Sequence, residues 1–251
     1  MLNVNIKEIK LTGKDSEKII LKNIDFSLEP NKIFTILGRN GSGKSTLIKS
    51  LTKLLDERFY SVNGKIIFND NNLLKLNADE MLNVRRDKIK YVFQDAVNSF
   101  NPLKTFEYYF DHLAKYPIEI PSLLNYFVLP EKDKLFKLYP YEVSGGMAQR
   151  ISLTLALLSR PEIIILDEPT SGIDSAIANL FLLKLKDFVS EAKNSVLLVT
   201  QDIDFAQKIS DKIAYLNDGK LSDFYSTKEF FEIKDDESVL AFLNTKAGFE
   251  K

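Results

Sequence analysis

The 251-residue chain is 45% hydrophobic and 27% charged, which gives it enough apolar material for a packed core. Its formal net charge of −1 provides no positive field to draw it onto nucleic acid or an anionic bilayer, so partners recognised by bulk charge alone are excluded. The chain has no cysteine, which excludes disulfides and thiolate metal sites.

The N-terminal run MLNVNIKEIKL alternates in polarity and carries charge early, so it reads as β-structure rather than a secretory leader. Ile24, Phe26 and Leu28 continue the alternation. Lys32–Leu37 is a short apolar strand ending in a glycine-rich run, and Leu47, Ile48, Leu51, Leu54 and Leu55 then follow at helical spacing. Further buried-strand candidates are 65–68, 89–93, 163–166 and 196–200. Three of these are near-continuous apolar runs, the pattern of parallel strands covered on both faces. Ile177, Phe181, Leu185 and Phe188 mark a helix. Asn217-Asp218-Gly219, between 213–216 and 221–224, predicts a late hairpin.

Residues 102–141 differ in texture, holding six of the ten tyrosines with weak β-patterning, and predict a mostly helical insertion. Its aromatics form a small satellite core, an exposed groove for a partner protein, or both. No run approaches the ~18 apolar residues that span a membrane, so any place at a membrane depends on a partner. With no repeat or linker, a single α/β domain is expected.

Gly38-Arg39-Asn40-Gly41-Ser42-Gly43-Lys44-Ser45 matches the phosphate-loop pattern G-x-x-x-x-G-K-[ST], placed between a strand and a helix as that loop requires. The glycines let successive backbone N–H groups turn toward one phosphate. Lys44 supplies a mobile cation to the β- and γ-phosphates, Ser45 offers a hydroxyl to Mg²⁺, and Thr46 extends the nucleotide-binding set. The apolar strand 163–166 delivers Asp167 and Glu168 to its C-terminal end, the edge at which ligands bind in α/β sheets. Asp167 suits Mg²⁺, and Glu168 is placed to polarise an attacking water.

Ser144-Gly145-Gly146-Met147-Ala148-Gln149-Arg150, just before the acidic strand, resembles the signature of ATP-binding-cassette (ABC) proteins, LSGGQ in many members. Ser144 can cap a helix starting near Gly145 and leave N–H groups exposed for a γ-phosphate. The resemblance covers essentially the whole chain. It implies an ABC cassette of the P-loop NTPase class over 1–251, with a parallel-sheet core, an N-terminal antiparallel β subdomain and a helical subdomain inserted after the Q-loop, roughly 96–160. A short tail from about 226 to 251 completes it. The resemblance also implies a head-to-tail dimer that sandwiches two ATPs. Gln94 matches the Q-loop glutamine that reaches Mg²⁺ and the attacking water, and Asp174 of Ser171-Gly172-Ile173-Asp174 lies at the D-loop position. Gln94-Asp95-Ala96-Val97-Asn98-Ser99-Phe100-Asn101-Pro102 looks like the QDPMTSLNP segment of peptide/nickel importer ATPases, which also commonly carry Met where Met147 stands. Without their C-terminal cysteine motif, this would be a compact member. The partners so implied are a second ATPase subunit, membrane permeases that hold the chain at the cytoplasmic face, and an extracytoplasmic substrate-binding protein, but no nucleic acid.

The sequence departs from the family in two places. Where a switch histidine is expected after 196–200, Gln201 stands, and an amide can donate a hydrogen bond but never a charged one. The lone histidine, His112, lies in the insertion and reads as an incidental helix residue. Slowed hydrolysis at the chain's own site follows, together with a heterodimer in which its signature completes a faster neighbouring site. In addition, 11–19 contains no aromatic to stack on adenine, which leaves Ile19 as an aliphatic substitute. Three alternatives stay open. They are an ABC ATPase serving an exporter or another substrate class, a degenerate subunit that holds ATP, and a soluble ABC protein acting on DNA or ribosomes. The last is disfavoured by the absence of heptads and by the single motif set.

Overall fold

Alternation at the N-terminus builds an antiparallel sheet in the computed structural model, which describes residues 1–13, 16–191, 193–233, 239–240 and 242–243. The chain divides into two units, one formed by Met1–Asn77 with Leu197–Lys251 and the other by Ala78–Val196.

The first unit opens with β1 (Leu2–Thr12) and β2 (Glu17–Leu28), followed by β3 (Lys32–Leu37), α1 (Lys44–Ser50), β4 (Tyr60–Phe68) and β5 (Asn71–Asn72). Four of these strands form an antiparallel sheet in the order β2-β1-β4-β5, so the strand expected at 65–68 belongs to this sheet. Leu2, Val4 and Ile6 are buried on one face, and the next buried apolar residue is Ile9, one position out of phase. The pairing with β4 shifts between Ile6 and Glu8, which restores the apolar face by leaving one extra residue at Lys7. Helix α1 is shorter than its apolar spacing predicts. Lys53 adopts a left-handed φ of 50°, which ends the turn before Leu54 and Leu55.

The second unit begins with α2 (Ala78–Asp87) and β6 (Ile89–Val92). Its helical run comprises α3 (Ala96–Ser99), α4 (Phe106–Leu113), α5 (Ile120–Tyr126), α6 (Lys132–Leu135) and α7 (Gly145–Leu158), and β7 (Ile163–Asp167) and α8 (Ser175–Glu191) follow. Strand β7 is buried throughout and runs parallel to β6, with Ile89 opposite Ile163 and Val92 opposite Leu166. The aromatics of the insertion divide by chemistry. Phe106, Phe110, Phe127 and Phe136 are buried, with Phe110 stacked on Phe136, whereas Tyr108, Tyr116 and Tyr141 are exposed. The buried phenylalanines share the satellite core with aliphatics such as Ile120, Leu124 and Leu135, while Tyr109, Tyr126 and Tyr139 are half-buried.

Strand β8 (Ser195–Thr200) carries the chain back into the first unit, where α9 (Ile203–Ile209), β9 (Lys212–Asn217), β10 (Lys220–Leu221), β11 (Tyr225–Ser226) and α10 (Thr227–Glu232) follow. Strand β9 lies parallel to β3, with Phe34 opposite Lys212 and Leu37 opposite Tyr215. The expected hairpin forms at Asp218-Gly219, with φ of 46° and 73°. Its return strand, expected over 221–224, instead splits into β10 and β11. The Ser222 hydroxyl accepts from Tyr215 N at 2.9 Å and so occupies a ladder position with a side chain. Phe230, Val239 and Phe242 of the expected tail pack on Leu37, Ala206, Ile213 and Tyr215. Residues 234–238, 241 and 244–251 of that tail lie outside the described residues, as do Lys14 and Asp15 of the segment expected near adenine.

Candidate active site

In the first unit, the buried strand β3 ends at Gly38, and the loop to Lys44 curls with Gly41 at φ 80° and Gly43 at φ 102°. A side chain at Gly38 would meet Leu216 O at 2.7 Å and Ser42 Oγ at 2.8 Å, so the loop closes tightly on itself. Lys44 is buried, and its Nζ donates to Gly38 O at 2.7 Å and Arg39 O at 3.1 Å. The loop thus wraps its own lysine. Ser42 Oγ is buried with no hydrogen-bond partner among the described residues, a polar atom positioned for a group that can satisfy it. An open cavity of about 670 Å³ is lined by Arg39, Asn40, Gly41 and Ser42 of this loop, by 18–20 of β2, and by Tyr215 and 217–219. Ile19, the expected aliphatic cover for adenine, lines that cavity and is half exposed.

Gln201 follows β8 and is exposed. Its neighbour Asp202 caps α9, accepting from Phe205 N at 2.9 Å. His112 is exposed on α4, with Nδ1 2.7 Å from Tyr108 O and its ring 4.1 Å from that of Tyr108, as an incidental helix residue would be.

In the second unit, β7 delivers Asp167 and Glu168, which are only 3% and 8% exposed. Glu168 adopts a φ of 45°, a left-handed conformation that costs a non-glycine residue on the order of 1–3 kcal/mol and clusters at functional sites. The Tyr91 hydroxyl donates to Asp167 Oδ2 at 2.9 Å. Burial first, and then the Asp167 charge, push the Tyr91 phenol far above its ordinary pKa, so it remains a donor. Gln94 is exposed after β6. The next residue, Asp95, caps α3 by accepting from Asn98 N and Nδ2, and these bonds hold its carboxyl below the usual range.

Ser144 caps α7 as expected, its Oγ accepting from Met147 N at 3.2 Å. A Cβ at Gly145 would meet open space. One at Gly146 would approach Ile173 and Gly172 O at 3.6 and 3.7 Å, so the signature turn and the Ser171-Gly172-Ile173-Asp174 loop are neighbours. Asp174 itself caps α8, accepting from Ile177 N at 2.9 Å. Arg150 donates to Gly146 O, Phe127 O and Val128 O, which ties the signature helix to the end of α5.

The candidate residues are therefore shared out, with 38–46 and Gln201 on the first unit. Gln94, Ser144, Gly145, Gly146, Asp167, Glu168 and Asp174 lie on the second. Sequence reasoning missed Tyr91 and the Arg150 ties. Tyr91 and Asp167 stand 76 residues apart, so no local pattern marks the pair.

A family model described as ABC transporter matches residues 21–171. The oligopeptide transport ATP-binding protein AmiE of Streptococcus pneumoniae is 30% identical, with 90% of this chain and 69% of that protein aligned. The dipeptide transport ATP-binding protein DppD of Bacillus subtilis is also 30% identical, over 92% of this chain and 72% of that protein. Among solved structures, the dimeric bacterial ABC transporter cassette MJ0796 superposes with a TM-score of 0.76 at 26% identity, covering 90% of this chain and 99% of that one. With this family model matching more than half of its length, the chain belongs to the ABC transporter family and is one of its ATPases, hydrolysing ATP in support of transport.

Proposed function

We propose that the chain is the ATP-hydrolysing subunit of a membrane importer whose cargo is peptides, nickel or metal chelates. The observation that carries this reading is the closed phosphate loop around buried Lys44, with the unsatisfied Ser42 hydroxyl inside it. The 94–102 segment and the peptide-transport names of the relatives support the cargo class.

The backbone of 38–43 encloses the terminal phosphates, and Lys44 exchanges its two carbonyl partners for β- and γ-phosphate oxygens. Ser45 and Thr46 add hydroxyls. Ser45, Gln94 and Asp167 are the residues that would hold Mg²⁺, a hard cation matched by their oxygen donors. Bound there, Mg²⁺ would neutralise charge on the phosphate oxygens. Glu168 orients the attacking water and accepts its proton, and Gln201 donates a neutral hydrogen bond toward the γ-phosphate. Ser144, Gly145 and Gly146 face a nucleotide held by a second ATPase subunit, with Asp174 at that interface. No helix among the described residues is long and apolar enough to cross a membrane, in keeping with a peripheral subunit held by permeases at the cytoplasmic face and served by a substrate-binding protein.

Gln201 supports a second reading, a subunit that holds ATP and seldom splits it. The two are separated by phosphate release from the complex with the second ATPase subunit, whose own catalytic carboxylate is changed to the amide, beside the same complex carrying Lys44→Ala or Glu168→Gln on this chain. Release by wild type above both variants supports hydrolysis at this site. Tight ATP binding with release no higher than Glu168→Gln selects the holding subunit. Unchanged nucleotide binding in Lys44→Ala overturns both.

A further inference from the structure

We propose that Tyr91 is a positioning residue for Asp167, its hydroxyl fixing the plane of the carboxylate that the reading above assigns to Mg²⁺. The parallel register explains how this chain reaches that contact. Tyr91 is paired with Ile165, and Asp167 lies two residues further along β7 on the same face, about 6.6 Å away along the strand. A tyrosine leaning along its strand spans that offset, and its hydroxyl lies 2.9 Å from Oδ2. Asp167 is 3% exposed, so solvent does little to hold its carboxylate in one orientation. A donor built into the neighbouring strand occupies one oxygen and restricts rotation about the last side-chain bond. Groups that orient a metal-holding side chain in this way typically account for 10–100-fold in metal affinity. Mg²⁺ demands near-ideal octahedral geometry, so it is sensitive to the tilt of a single ligand, whereas Ca²⁺ tolerates irregular sites.

Tyr91 also packs against Phe93, with ring centroids 4.3 Å apart, so a merely structural role is the competing explanation. Tyr91→Phe keeps the ring and removes the donor. The test is equilibrium binding of a fluorescent ATP analogue to the full chain, first in excess EDTA and then across titrations of Mg²⁺ and of Ca²⁺. The proposal expects unchanged affinity in EDTA, a rise of about tenfold in half-saturating Mg²⁺, and a clearly smaller rise for Ca²⁺. An unmoved Mg²⁺ midpoint overturns it, and so does an equal loss of affinity in EDTA and in Mg²⁺, which would mark a structural residue. Tyr91→Met, which lacks the donor but keeps an apolar side chain, provides the same comparison if the Phe variant fails to fold. A wild-type chain that binds the analogue without any Mg²⁺ dependence overturns the cation reading of Asp167, and this proposal with it. Mg²⁺ dependence in wild type with an unmoved Tyr91→Phe overturns the Tyr91 assignment alone.

Discussion

Gln201 stands directly after β8, at the position where the ABC resemblance expects a histidine. Its amide can donate only a neutral hydrogen bond, and one from an ionised donor is roughly twice as strong. Removing one well-placed donor to developing charge typically costs on the order of 10²–10³ in rate, and replacing a charged donor by a neutral one forfeits part of that. Gln201→His is therefore expected to raise single-turnover phosphate release at this chain's own site by about tenfold or more, with ATP affinity little changed. Quenched-flow measurement on the assembled complex, with the partner subunit's equivalent carboxylate changed to the amide so that this chain's site is the one read, gives that number. An unaltered rate would mean that Gln201 does not face the reacting phosphate. Glu168, directly after β7, contrasts with Gln201 in carrying a costly left-handed backbone, with a φ of 45°.

At the scale of elements, Gly219 is the position where backbone chemistry is least negotiable. Its φ is 73°, and a Cβ there would lie 2.5 Å from Ile20 O. The same turn receives a hydrogen bond from Lys22 N to Gly219 O at 2.9 Å, so the hairpin is drawn against β2. Gly219→Ala is expected to destabilise the chain by at least about 1–2 kcal/mol from the left-handed conformation, with the clash added to that. Denaturant midpoints would measure the loss. Asparagine tolerates left-handed φ but carries the same Cβ, so Gly219→Asn should recover little, and full recovery would show that φ and not the approach to Ile20 governs the cost. This hairpin was legible in the sequence because Asn217-Asp218-Gly219 encodes its turn locally, and the strand-loop-helix context of 38–45 was legible for the same reason. Ser144 was legible as a cap because capping needs only the next three residues. Other features were not written locally. The early end of α1 depends on Lys53 turning left-handed, and the split of the last strand depends on Ser222 substituting for backbone. The Tyr91–Asp167 pair depends on which strand lies beside β7 and in what register, and no window of sequence holds that information.

At the scale of the whole molecule, the Gln201 departure bears on how ATP work would be divided between the proposed subunits. On the proposed head-to-tail pairing, this chain's loop, Glu168 and Gln201 would serve one composite site, while its Ser144-Gly145-Gly146 turn would serve the other. The signature turn carries no comparable departure, since Ser144 caps α7 and Gly145 opens onto free space. A slow own site beside an intact signature gives unequal sites only if the second ATPase is a different chain, because two copies of this one would carry Gln201 twice. Glu168→Gln would remove the proposed proton acceptor with little change of shape, so in the proposed heterodimer it would silence one composite site at a time. In the assembled complex, Glu168→Gln on this chain is expected to leave most steady-state ATP turnover, whereas the equivalent carboxylate-to-amide change in the partner subunit should remove most of it. Equal, near-complete loss from either substitution would mean two equivalent or strictly coupled sites, and the unequal division of labour would be wrong. If the complex purifies with this chain as its sole ATPase, Glu168→Gln must abolish turnover outright, and the slow site would then set the rate of the whole transporter.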